Sequence, residues 1–366
     1  MKALDLDRLP NILTALDGSR IATVSRWESQ RRPEITRLFT DEVYGRYPPQ
    51  PDSLRFEVTH YDPQALGGTA IQKSIKASFS GPLDDFSFPF WMFIPKQEEK
   101  CGAFILIFNS AREDSLDITR QVKTGFWPVE EIVSRGYAAV AFRSTDLDTE
   151  ADDGFVNGVH RCFSKHRGPH DWATIAAWAW GGMRVMDYLV TDEAIDAKRV
   201  GIAGHSRGGK TALFCAASDP RFRIVYSCCS GCVGAALSRF KDGESIQQIN
   251  DVFPYWFCDE FKKYNGREFD MPFDQHMLLA AIAPRLLYVS SATDDDWADP
   301  EAEFASTKLA GAAYSLYGLR GIDETAIVRP DEPTHGQSVG YHRRQGDHDL
   351  TASDWKLFMD FADSRL

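Results

Sequence analysis

From residue 103 onward the chain alternates short, unbroken, largely apolar runs with longer stretches whose apolar residues recur at helical spacing. The runs are 103–108, 138–143, 199–203, 224–228 and 285–290, and none alternates apolar with polar as a half-exposed strand does. Continuous runs of this length predict strands covered on both faces, as in a parallel sheet flanked by helices. Over residues 171–190, Trp172, Ile175, Ala176, Ala179, Met183, Met186 and Leu189 follow helical spacing, which predicts a helix with Asp171 as its N-cap. Trp355, Phe358 and Met359, at spacings of three and four, predict a closing helix over 354–362. Strand and helix in alternation predict a three-layer α/β sandwich around a mostly parallel sheet.

No internal repeat, low-complexity tract or linker-like run interrupts the 366 residues, so residues 1–366 read as a single domain. The charged, proline-bearing stretch 31–51 reads as part of an N-terminal arm, about residues 1–60, lying on that body. Net charge of −12 provides no basic footprint for nucleic acid or for an anionic membrane surface. No apolar run approaches the roughly 20 residues of a membrane span. The first residues meet Asp5 and Asp7 without an apolar signal core, which implies a cytoplasmic protein if Met1 is the native start, and a secreted or periplasmic one if the native chain has been trimmed. Seven cysteines, an odd count in a long chain, argue against a disulfide scaffold. Cys228, Cys229 and Cys232 suggest a metal or redox cluster. A zinc site needs a fourth ligand and usually a second spaced pair, however, and none is nearby, so they read as buried thiols.

The chemistry concentrates in residues 199–213, a strand, a glycine-rich turn and a helix that satisfy two patterns at once. Gly204, Ser206 and Gly208 form G-x-S-x-G, in which a tight strand-to-helix turn exposes a serine hydroxyl and the following N–H, that of Arg207, can stabilise an oxyanion. Gly204, Gly209, Lys210 and Thr211 equally form G-x-x-x-x-G-K-[ST], a phosphate cradle with Lys210 on the terminal phosphates and Thr211 on magnesium.

The rest of the chain separates them. A P-loop enzyme needs an apolar strand ending in a magnesium-binding Asp, but the strand after this turn ends in Cys228-Cys229-Ser230. A serine hydrolase needs an acid and then a histidine at later strand ends. The strand at 285–290 runs into Asp294, Asp295 and Asp296, and a polar turn before the final helix carries His348. His342 falls inside the expected last strand and His335 in a loop, which leaves His348 as the base able to reach Ser206.

With those residues in place, Gly-His-Ser-Arg-Gly-Gly-Lys-Thr-Ala-Leu around Ser206 is similar to the Gly-x-Ser-Arg-x-Gly-Lys signature of the glucuronoyl esterases, carbohydrate esterase family 15. Residues 172–188, 230–239, 253–257, 272–276, 297–300 and 346–351 extend the resemblance, which is greatest to bacterial members. It implies an α/β-hydrolase fold and a serine carboxylesterase that cleaves esters of (4-O-methyl-)D-glucuronic acid, as in lignin–xylan linkages, with no metal or cofactor. Its partner is then a small-molecule or glucuronoxylan-derived ester, with no nucleic acid and no membrane. Ser206 is the implied nucleophile and His348 the base. Arg207 is implied to help hold the oxyanion with its side chain, Lys210 to bind sugar hydroxyls, and Trp297 to pack on the sugar. Glu244 and Gln247 fall where the family makes polar sugar contacts, whereas Trp256, Phe257 and His276 read as structural.

Two departures stand out. Many members carry the triad acid in a Glu-Ser-Gly context after the strand that follows the nucleophile, where this chain has Cys229-Ser230-Gly231. A thiol cannot orient an imidazolium as a carboxylate does, so the acid must come from the Asp run, Asp295 aligning best with Asp294 and Asp296 in reserve. His205 stands where fungal members carry a cysteine, so one family disulfide is missing. The alternatives are a carbohydrate acetyl esterase, a P-loop-like nucleotide phosphatase, and a catalytically weak glucuronate-binding relative.

Overall fold

All five apolar runs are strands in the computed structural model, which describes residues 8–109, 113–240 and 242–366. The strands are β1 (Ser53–Ala65), β2 (Ala70–Ser80), β3 (Asp85–Pro95), β4 (Cys101–Phe108), β5 (Tyr137–Arg143), β6 (Ile195–His205), β7 (Ile224–Cys228), β8 (Leu286–Ala292), β9 (Thr334–His335) and β10 (Val339–Arg344). They form one sheet in the order β1-β2-β3-β5-β4-β6-β7-β8-β10-β9. From β5 to β10 neighbours run parallel, while β1–β3 and the β3/β5 and β9/β10 pairs are antiparallel. Alternate residues of β4 serve opposite faces: Ile105 and Ile107 join one core cluster, Phe104, Leu106 and Phe108 the other. Helices Thr174–Leu189 and Arg207–Ser218 pack on the first face, and Val129–Ser134 and Ala352–Asp363 on the second. This is the three-layer α/β sandwich that the pattern predicts.

Three details differ from the sequence reading. Strands β1–β3 precede the runs read from the sequence: much of β1 is exposed and much of β2 only half-buried, so neither carries an unbroken apolar run, whereas β3 carries a buried one at residues 90–94. The charged stretch after residue 31 is largely helical, centred on Arg32–Phe39, with Ile35 and Phe39 buried, and residues 53–60 already belong to the edge strand β1. The long helix starts at Thr174, not Asp171, because the Asp171 carboxylate accepts from the Gly168 N–H behind it at 2.8 Å rather than from the helix ahead. The closing helix is capped by Thr351, which accepts from the Asp354 N–H in a reciprocal capping box.

The site follows from the topology. Strand β4 pairs with β5 on one side and β6 on the other, so the chain leaves it in opposite directions. At such a switch point the carboxyl ends of adjacent parallel strands open a crevice. Asn109 follows β4 and Ser206 follows β6 there.

Candidate active site

Ser206 sits at φ 56° and ψ −125° between β6 and helix Arg207–Ser218. A non-glycine residue there is strained, and surrounding contacts must hold it. The Ser206 N–H donates to Cys228 O at 2.8 Å, its carbonyl accepts from Gly209 and Lys210 N–H, and Asn109 Nδ2 donates to His205 O at 2.9 Å. A side chain at Gly204 would lie 2.1 Å from Gly208 O, so the elbow closes only with glycine at that place. The phosphate-cradle pattern is a coincidence of sequence. Lys210 Nζ donates to Ser230 O and Cys232 O at 2.5 and 2.6 Å, and the Thr211 hydroxyl donates to Arg207 O of its own helix.

His348 Nδ1 lies 2.6 Å from Asp295 Oδ2. An ionised carboxylate only accepts, so Nδ1 carries the proton and Nε2 is left for proton exchange. Asp295 is buried, whereas Asp294 and Asp296 are exposed. His342 is buried within β10 and pairs with Asp354 at 2.9 Å.

Ser206, His348 and Asp295 line one cavity of about 330 Å³ with Arg207, Lys210, Glu244 and Trp297. Trp297 is 57% exposed, so its indole is a surface platform and not core packing. Gln247 does not line the cavity. It sits exposed on helix Ile246–Val252, beyond the Ser245 cap that turns the chain away after Glu244. Trp256, read as structural from the sequence, is buried yet forms part of the wall, stacked on Phe253 at 3.7 Å.

Several residues here carry no sequence signature. Glu150 pairs with Arg207 through Nε at 2.6 Å and Nη2 at 2.8 Å, and Arg207 Nη2 also donates to Asn109 O, so the guanidinium is fixed at the mouth of the elbow. Burial raises the Glu150 carboxyl even against Arg207. Glu303 lies behind Cys229-Ser230-Gly231, fully buried. It accepts from Gly231 N–H at 2.9 Å, from the Ser230 hydroxyl at 3.2 Å and from the Ser291 hydroxyl at 2.6 Å. Desolvation pushes Glu303 up to about 7. Cys229 faces the cavity beside the His348–Asp295 pair, and its thiol is pushed up by the Cys228 thiol and by burial. The His205 ring lies 4.4 Å from that of His348, and burial holds its imidazole well below the usual range. All seven cysteines are buried free thiols.

A strained serine elbow at the carboxyl end of a parallel strand, beside a carboxylate-bound histidine, defines a serine-type α/β-hydrolase. The family described as "Glucuronyl esterase, fungi" matches residues 117–318. A carbohydrate esterase from an unknown prokaryotic organism is 36% identical, over 98% of this chain and 89% of the relative. A solved glucuronoyl esterase from Solibacter usitatus is 36% identical and superposes with a TM-score of 0.90, over 98% of this chain and 97% of that one. A 4-O-methyl-glucuronoyl methylesterase of Schizophyllum commune is 26% identical, over 85% of this chain and 74% of that protein. The chain belongs to the glucuronoyl esterase family, CE15.

Proposed function

We propose that this chain hydrolyses esters of D-glucuronic acid and its 4-O-methyl ether, including those joining xylan to lignin alcohols, through an acyl-enzyme on Ser206. The observation that carries the reading is the cavity that brings Ser206 and the Asp295-bound His348 together with the cations Arg207 and Lys210. A lipid esterase would line that space with apolar groups. Here Arg207, Lys210 and Glu244 stand in the wall as partners for sugar hydroxyls, and the exposed Trp297 face suits a pyranose ring.

His348 Nε2 takes the Ser206 proton as the hydroxyl oxygen attacks the ester carbonyl. Asp295 holds the imidazole in the tautomer this requires and stabilises the imidazolium that forms. Negative charge then develops on the carbonyl oxygen, where the Arg207 N–H at the helix start and its Glu150-fixed guanidinium stabilise it. The imidazolium protonates the departing alcohol, and water, activated by the same base, releases glucuronate. The family names of the relatives support the acyl group. Hydrolysis of benzyl and methyl glucuronate beside an acetylated sugar, with Ser206→Ala as the blank, tests the reading. Turnover confined to the glucuronates is expected, and turnover of acetate alone would overturn the substrate.

A further inference from the structure

We propose that His205, Cys228 and Cys229 form a binding site for a thiophilic divalent cation, zinc or cadmium, through which such an ion inhibits the enzyme reversibly. Successive residues of a strand point to opposite faces, so neighbouring cysteines do not ordinarily share a ligand. Here β7 ends at Cys228, and Cys229 adopts φ 47°, which returns its side chain to the same side. The two sulfurs stand 3.8 Å apart. Two thiolates held at about 2.3 Å on a tetrahedral zinc ion are themselves about 3.8 Å apart. The spacing therefore suits a chelated ion without rearrangement, whereas a disulfide would require closure to about 2.0 Å.

The third ligand comes from β6. A ring nitrogen of His205 and both sulfurs all lie within 4.8 Å of one another. His205 is only 8% exposed, and its Nε2 has no hydrogen-bond partner. A buried imidazole with an unpartnered nitrogen, on a ring beside two thiols, is a donor set suited to soft and borderline cations. Cys232, the third cysteine of the sequence cluster, is not part of it.

The ion has a route in, because Cys229 lines the substrate cavity. It also has an effect there. The Cys229 sulfur lies within 4.8 Å of ligand atoms of Asp295 and His348, so Cys229 belongs to both groups. On binding, each thiol releases its proton to solvent as its sulfur becomes a ligand, and no electron moves. The two thiolates balance the ion's charge, but with His205 they fill only three of its four tetrahedral positions. Asp295 or His348, whose ligand atoms lie within 4.8 Å of the Cys229 sulfur, can take the fourth, and the triad then loses that residue. The inhibitory part rests on the mechanism proposed above, but the binding part does not.

The test titrates the full chain with cadmium. It reads thiolate-to-cadmium charge-transfer absorption and, in parallel, hydrolysis of benzyl glucuronate. One equivalent is expected to bring on the absorption of two thiolates and abolish turnover, both reversed by EDTA. Cys228→Ala should keep its metal-free turnover while half-inhibition needs at least tenfold more cadmium; Cys228→Ser serves if the alanine variant does not fold. No thiolate absorption at one equivalent, or a Cys228 variant as sensitive as the parent, would overturn the site. Absorption without inhibition would overturn the regulatory role. Absorption is read whether or not the ester is a substrate, so failure of the site is distinguishable from failure of the proposed activity.

Discussion

Glu303→Gln isolates the electrostatic strain behind the cavity. The side chain is fully buried on helix Pro300–Leu316, with Ser291, Gly231 and Ser230 as hydrogen-bond donors, and burial raises its pKa from 4.5 to about 7. A carboxyl raised on folding holds its proton more tightly in the native state. Its stabilising contribution is therefore complete below the unfolded value and is lost as pH climbs through the folded one. At about 1.4 kcal/mol per pKa unit, the parent should lose roughly 2 to 3 kcal/mol between pH 5 and 8 relative to the glutamine variant, which mimics the protonated acid and does not titrate. Urea unfolding followed by tryptophan fluorescence at pH 5, 6, 7 and 8 measures that difference. A gap between the two proteins that stays constant with pH, or that moves in the parent's favour as pH rises, would refute the reasoning. It would mean that Glu303 is already ionised in the fold.

Asp295→Asn should lower kcat by about three to four orders of magnitude, since the amide favours the wrong imidazole tautomer, while Asp294→Asn and Asp296→Asn, both exposed, should stay within about twofold of the parent; steady-state kinetics on benzyl glucuronate compares the three. Cys229→Ala should leave metal-free turnover nearly unchanged in the same assay, and a large loss would move the orienting role away from Asp295. Trp297→Ala should raise KM roughly fivefold with little change in kcat, as loss of a stacking platform worth about 1 kcal/mol implies.

Legibility in the sequence follows how local each constraint is. The five core strands are readable because burial on both faces demands unbroken apolar runs, whereas β1 and β2 are not, because a strand bathed on one side needs no such run; β3 carries one at residues 90–94 and is legible by the same rule. Ser206 is readable because its elbow is a local event, with Gly204 forced by a backbone approach within four residues. Asp295 was harder: three consecutive aspartates share one spacing, and burial, which separates them, is tertiary. Glu150, Asn109 and Glu303 reach the site from separate elements, and nothing in their neighbours announces the meeting. Gln247 lies outside the cavity that Glu244 lines, because the helix cap between them turns the chain away.

The central claim is an ester carbon transferred to Ser206, and it can be weighed directly. Benzyl glucuronate is mixed with the enzyme, quenched in acid within milliseconds to seconds, digested and examined by peptide mass spectrometry. The account predicts a glucuronoyl group on the peptide bearing Ser206, absent from Ser206→Ala, which also forms no benzyl alcohol. Benzyl alcohol released by Ser206→Ala at the parent's rate, or a glucuronoyl group carried by another residue, would contradict it.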